Sequence, residues 1–115
     1  MPRLKLISIV CKDQQDWLGG DEPYLLVNGK RVWQAEGVGS GAELSLETVH
    51  EIRFFSTAKV ELYEQDAEAA EEEKSASDDK LGEWQVGENL IGKGEQALDF
   101  KGQGGHYVLK FFVFP

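Results

Sequence analysis

Cysteine is nearly missing from this chain. Cys11 is the only one in 115 residues, so no disulfide can form within it. A lone thiol inside an apolar run (ISIVC) reads as a small buried residue. Histidine is almost as scarce. His50 and His106 stand far apart with no second cysteine near either, which excludes a zinc site of the usual Cys/His kind. Basic charge is also short: 12 Lys and Arg face 21 Asp and Glu, for a formal net charge of -9 and a pI near 4.6. That deficit excludes a nucleic-acid partner, whose phosphates need clustered Lys and Arg. It also excludes simple attraction to anionic membranes unless something reverses the local charge.

Long hydrophobic runs are absent too, and none approaches transmembrane length. The start, MPRLKLISIVCKD, has a basic opening and an apolar stretch. The stretch is short, is interrupted by Lys5 and Ser8, and lacks an A-x-A-like cleavage site, so it reads as a first strand rather than a signal peptide. A soluble chain, cytoplasmic or peripheral to a membrane, is expected. Catalytic signatures are missing as well. There is no G-x-S-x-G elbow, no G-x-G-x-x-G or G-K-[ST] phosphate loop, and Gly37-Val-Gly-Ser-Gly41 precedes no helix. Paired carboxylates could serve glycoside hydrolysis, but so small a chain with acids on loops offers little cleft, and no enzyme is expected.

What is present is strand periodicity. Leu4, Leu6, Ser8 and Val10 alternate with Lys5, Ile7, Ile9 and Cys11, and both faces become apolar towards the middle. PYLLVNGKRVWQ reads as a hairpin turning at Asn28-Gly29, since both residues tolerate positive φ. ELSLETV, EIRFFS and AKVELYE follow as short β-rich runs, then LGEWQVG, QALDFKG and HYVLKFFVFP. The one candidate for a helical turn is DAEAAEEEK. Trp33 and Trp84 read as core or rim packing. Short strands separated by turns, with almost no helical period, imply an all-β sandwich or barrel in a single domain, residues 1–115.

Acids concentrate in two places. Between Glu64 and Glu83 there are nine acids and two lysines, a local balance of -7. The loop written DWLGGDEPY, with its neighbours, adds Asp13, Asp16, Asp21 and Glu22 against Lys12. If both loops lie at one end of a sandwich, their carboxylates converge and repel. A hard cation offsets that repulsion, and calcium, which accepts six to eight oxygens from flexible loops, suits them better than magnesium. An acidic run such as EAAEEEK is by itself usually a solvated loop, and Glu71, Glu72 and Glu73 are expected to face water. The informative acids are at the loop's ends.

Two motifs in order resemble those of the C2 domain, an eight-stranded antiparallel β-sandwich with a Greek-key path. The first is an acid, five residues, then an acid-Pro-Tyr before an apolar strand, here Asp16 and Glu22-Pro23-Tyr24 followed by LLV. The second is an apolar strand running into an acid-x-Asp pair, a loop, then an acid two residues before an apolar-Gly pair. Here that is VELYEQD, with Glu64 and Asp66, and later Asp79-Lys-Leu-Gly82. YVLKFFVF resembles the family's closing strand, and the likeness covers nearly the whole chain. It implies that Asp16, Glu22, Glu64, Asp66 and Asp79 take the five calcium-ligand positions. Asp21 and Asp78 lie beside them as further ligands. Glu stands at positions 22 and 64 where the family usually has Asp, and the second loop is longer than usual.

The resemblance also gives Trp17 and Leu18 two alternative roles. In the family, apolar loop tips enter the lipid interface once calcium neutralises the acids, and the amphipathic ring of Trp suits that boundary. Alternatively the two fold back as a cap on the sandwich end. The opposing tip, AEAAEEEKSAS, is poorly suited to lipid. Lys30, Arg31, Arg53 and Lys59 are scattered in the sequence, which disfavours a strong phosphoinositide binder. The expectation is therefore a non-enzymatic calcium-binding module whose acidic loops organise a surface for a membrane or a protein partner. The alternative is a metal-independent structural or adaptor sandwich. A weaker third reading is glycan binding on a face through Trp33 or Trp84.

Overall fold

The computed structural model describes residues 1–15, 19–65 and 78–115. Nine strands form among them: β1 (Arg3–Asp13), β2 (Pro23–Val27), β3 (Lys30–Gln34), β4 (Glu43–Ser45), β5 (Ile52–Arg53), β6 (Thr57–Glu64), β7 (Asp79–Gly87), β8 (Gln96–Gly102) and β9 (Gly105–Phe114). They make two sheets whose described pairings are antiparallel. One runs β4-β1-β9-β8, with the two-residue β5 also paired to β1; the other runs β3-β2-β6-β7. This is the sandwich that the alternation predicts. The candidate helical turn in DAEAAEEEK falls outside the described residues.

The core is built from one face of each strand. In β9, Tyr107, Leu109, Phe111 and Val113 are buried and alternate with less buried neighbours, as a period of two requires. From the facing sheet come Leu25, Val27, Ala58, Val60 and Leu62. β1 departs from simple alternation. Leu4 and Leu6 point inward, and so do Ile9 and Cys11, which have the opposite parity. A bulge between Leu6 and Ser8 in the pairing with β9 inserts one residue and switches the inward face. The mixed pattern of ISIVC is thus the mark of a bulge, and Cys11 is buried as expected.

The hairpin turn forms where the Asn-Gly pair stands. Asn28 has φ 50° and Gly29 φ 81°, the left-handed pair of a type I′ connection. The two tryptophans close the sandwich at opposite edges. Trp33, on β3, packs half-buried against the core, and Trp84, on β7, donates its indole N–H to the Asp99 carbonyl on β8 at 2.7 Å. The second bond ties the two sheets together where neither ladder does.

Candidate functional site at the acidic end

The strand registers decide where the two acidic loops open. Pro23, the first residue of β2, pairs with Glu64, the last of β6, and Glu64 pairs with Asp79, the first of β7. The segments 14–22 and 65–78 therefore leave the sandwich at the same end, together with Asp13 at the end of β1. The convergence that is conditional in the sequence is a consequence of pairing.

The first loop is held from several sides. Gln14 and Ser40 exchange two bonds: the Gln14 N–H donates to Ser40 Oγ at 2.9 Å and the Ser40 N–H to Gln14 Oε1 at 3.1 Å. Asp21 and Val38 form a backbone bridge with both N–H groups donating, at 2.8 and 2.9 Å. Gly20 lies so close to Gly37 that a Cβ there would come within 2.7 Å of its carbonyl carbon, and its φ of +80° is in the left-handed region. Only glycine fits that approach.

Asp21 is fully buried. Its Oδ2 accepts from the Gln15 N–H at 2.7 Å and from the Tyr107 hydroxyl at 2.6 Å. Burial, and then the bond to Asp21, push the Tyr107 phenol far above its ordinary range. Burial likewise pushes the neighbouring Cys11 thiol up, so Cys11 is a poor source of thiolate. Asp79 accepts from the Gln15 side-chain amide at 2.7 Å, so one glutamine joins Asp21 and Asp79. The amide oxygen of Gln15, itself buried, has no hydrogen-bond partner among the described residues. Glu64, also buried, accepts from the Glu22 N–H at 3.1 Å, and Asp78 accepts from the Tyr24 hydroxyl. Burial first, and then Asp78, raise the Tyr24 phenol.

Five of the seven sequence-predicted acids (Asp21, Glu22, Glu64, Asp78 and Asp79) thus lie at this end, and the donors named above are all neutral. Asp16 and Asp66, with Trp17 and Leu18, fall outside the described residues. Among the described residues no three His, Cys, Asp or Glu side chains are grouped closely enough to hold a metal ion. Gln15 carries no sequence signal. Its adjacency to Asp16 is the only hint, because an amide in a polar loop has no period to betray it.

Beyond the loops, the outer face of the β3-β2-β6-β7 sheet carries an internally satisfied ladder. The Tyr24 and Tyr63 rings stack at 5.4 Å, and the Arg31 guanidinium sits 3.7 Å from the Tyr24 ring centre. Glu61, buried, is met by Lys80 at 3.1 Å, Lys59 at 3.7 Å and the Tyr63 hydroxyl at 3.0 Å. These cations are committed to the fold. No helix among the described residues is long and apolar enough to cross a membrane.

No family model matches the sequence, and no curated protein matches it. Solved structures do match in shape. A structure of the two C2 domains of Extended-Synaptotagmin 2 is similar over 97% of this chain, with a TM-score of 0.55 and 16% identity; the chain spans 40% of that protein's length. A second, described as "Structure of a C2 domain", is similar over 99% of this chain and 97% of its own, with a TM-score of 0.52 and 15% identity.

Proposed function

We propose that this C2-like sandwich is a calcium-binding module, not an enzyme, whose two acidic loops hold the ion and present a surface to a membrane or a protein partner. The observation that carries the reading is the registration of Pro23, Glu64 and Asp79, which brings two carboxylate-bearing loops to one end. The donor chemistry fits a hard cation. Carboxylate oxygens stand beside a buried amide oxygen, Gln15 Oε1, that no described donor satisfies, and calcium accepts both kinds of oxygen. The described acids do not by themselves form a metal group, so the site requires Asp16 and Asp66. In this reading Asp16, Glu22, Glu64, Asp66 and Asp79 supply ligands and Asp78 lies beside them. Asp21, fully buried against Tyr107, positions the loop from below. Bound calcium would neutralise the loops and leave Trp17 and Leu18 to meet a lipid interface or a partner.

Melting in chelator and in millimolar calcium, with magnesium as control, tests this. A ligand at a hundred times its dissociation constant stabilises by about 2.7 kcal/mol, a shift of several degrees for a domain of this size. The expected result is such a rise with calcium, a weak one with magnesium, and none in Asp66→Asn. Trp17→Ala should then lose calcium-dependent vesicle binding while keeping the thermal shift. No shift with calcium would favour the metal-independent adaptor, a reading consistent with the neutral hydrogen bonds already made to Asp21, Glu64, Asp78 and Asp79.

A further inference from the structure

The opposite end of the sandwich carries a cleft of about 590 Å3 that the calcium reading does not use. It lies between β3, the last strand of its sheet, and residues 48–53 of the other sheet, so it opens at an edge of the sandwich. Its apolar lining includes Val27, Trp33, Val49 and Ile52. One wall is pinned in place. Lys5 Nζ donates to the carbonyls of Glu47 at 2.9 Å and Val49 at 3.2 Å, and the Leu46 N–H donates to the Ile7 carbonyl at 2.8 Å.

The charges of the cleft are unbalanced in a specific way. Lys30, Arg31 and Arg53, scattered in the sequence, come together here. Arg31 turns away to stack on Tyr24 and donate to Gln34 Oε1. The one acid in the lining, Glu51, is taken by Arg3 at 2.9 Å. Lys30 and Arg53, both exposed, make no ion pair or side-chain hydrogen bond with any described residue. In a chain with 21 acids and 12 basic residues, two unpaired cations on one apolar cleft are a local reversal of sign. The other wall is the outer edge of β3, and no described strand pairs with it. Such an edge offers alternating N–H and C=O groups to an incoming strand.

We propose that this cleft receives an extended acidic peptide segment of a protein partner, which adds as a strand to β3. Its carboxylates would pair with Lys30 and Arg53, and its alternate apolar side chains would cover Val49, Ile52 and Trp33. A preformed groove beside an open strand edge suits a peptide better than a planar lipid surface, which cannot reach the edge's backbone groups. The acidic end does not oppose this docking. β1 runs from Arg3 beside the cleft to Asp13, roughly 33 Å at about 3.3 Å per residue. Screening at physiological salt acts within about 8 Å.

The test uses the full chain in chelator at physiological salt, with a fluorescein-labelled peptide of alternating glutamate and valine. Polarisation and amide chemical shifts are read together. Micromolar binding is expected, with the largest shifts in Lys30–Gln34, and a lysine-valine peptide should not bind. Lys30→Glu with Arg53→Glu, both exposed, should weaken binding tenfold or more without moving the melting temperature. Shifts centred on another strand, equal binding by the double variant, or absence of binding to folded protein would overturn the proposal. So would phosphatidylserine vesicles engaging the same residues while the peptide does not. The calcium reading can fail without affecting this result, since every arm is run in chelator.

Discussion

At the scale of single residues, Asp21 shows how the loop end is organised. Two donors to its side chain, the Gln15 N–H and the Tyr107 hydroxyl, meet the same oxygen, Oδ2. An asparagine whose carbonyl takes that place can still accept both. Asp21→Asn should therefore be milder than Tyr107→Phe, which leaves a fully buried carboxylate short of a donor. Losing a hydrogen bond to a charged group costs about 1.5–3 kcal/mol, so urea unfolding of Tyr107→Phe should show a lower midpoint by that amount at unchanged slope. If Asp21→Asn is the more damaging, the carboxylate's charge matters more than the shared oxygen. The sequence alone places Asp21 among the metal ligands because it stands beside Glu22. Its partner Tyr107 is 86 residues away, and no local spacing could disclose that bond. The paired ends of the two loops are legible for the opposite reason: acids at strand boundaries follow from the alternation that defines the strands.

At the scale of elements, alternation makes the strands readable, and irregularities hide the rest. The Asn28-Gly29 turn is local chemistry and stands where it is expected. The β1 bulge is not local, because it exists only in the pairing with β9. The basic cleft is hidden for a similar reason: Lys30 and Arg53 approach only because the edges of two sheets face the same side. Another contact between sheets lies at Gly82 on β7. A Cβ there would come within 2.9 Å of Phe100 Cδ1 and 3.4 Å of the Phe100 Cα. Phe100 is fully buried on β8, so its ring has little room to yield. Gly82→Ala should destabilise by about 1–3 kcal/mol through overpacking. Thermal unfolding checks it, with Phe100→Leu in the same chain as the relief. Partial recovery is expected in the pair, and simple additivity of the two losses would show that the ring is not the obstacle.

At the scale of the whole molecule, the three tyrosines report on the folded state together. Tyr24, Tyr63 and Tyr107 are all raised above their ordinary value of 10.0, each first by burial and then by a hydrogen bond to a carboxylate: Asp78, Glu61 and Asp21 respectively. A phenol whose folded pKa is raised binds its proton more tightly in the folded chain than in the unfolded one. Its contribution is fully present below the unfolded value and is lost as pH rises towards the folded one. Stability should therefore be flat in this respect up to about pH 9, where model phenols stay protonated, and fall above pH ~10. Ultraviolet titration of phenolate should show no independent tyrosine ionising near 10, but one cooperative step coincident with loss of β-sheet circular dichroism. Two of the three carboxylates, Asp21 and Asp78, lie at the acidic end. A calcium ion held there would stabilise the folded chain and move the cooperative step to higher pH. A phenolate signal of one tyrosine near pH 10 in folded protein would show that its carboxylate bond does not form in solution. An alkaline step unmoved by millimolar calcium, beside an unmoved melting temperature, would leave the acidic end to structure and the basic cleft as the functional surface.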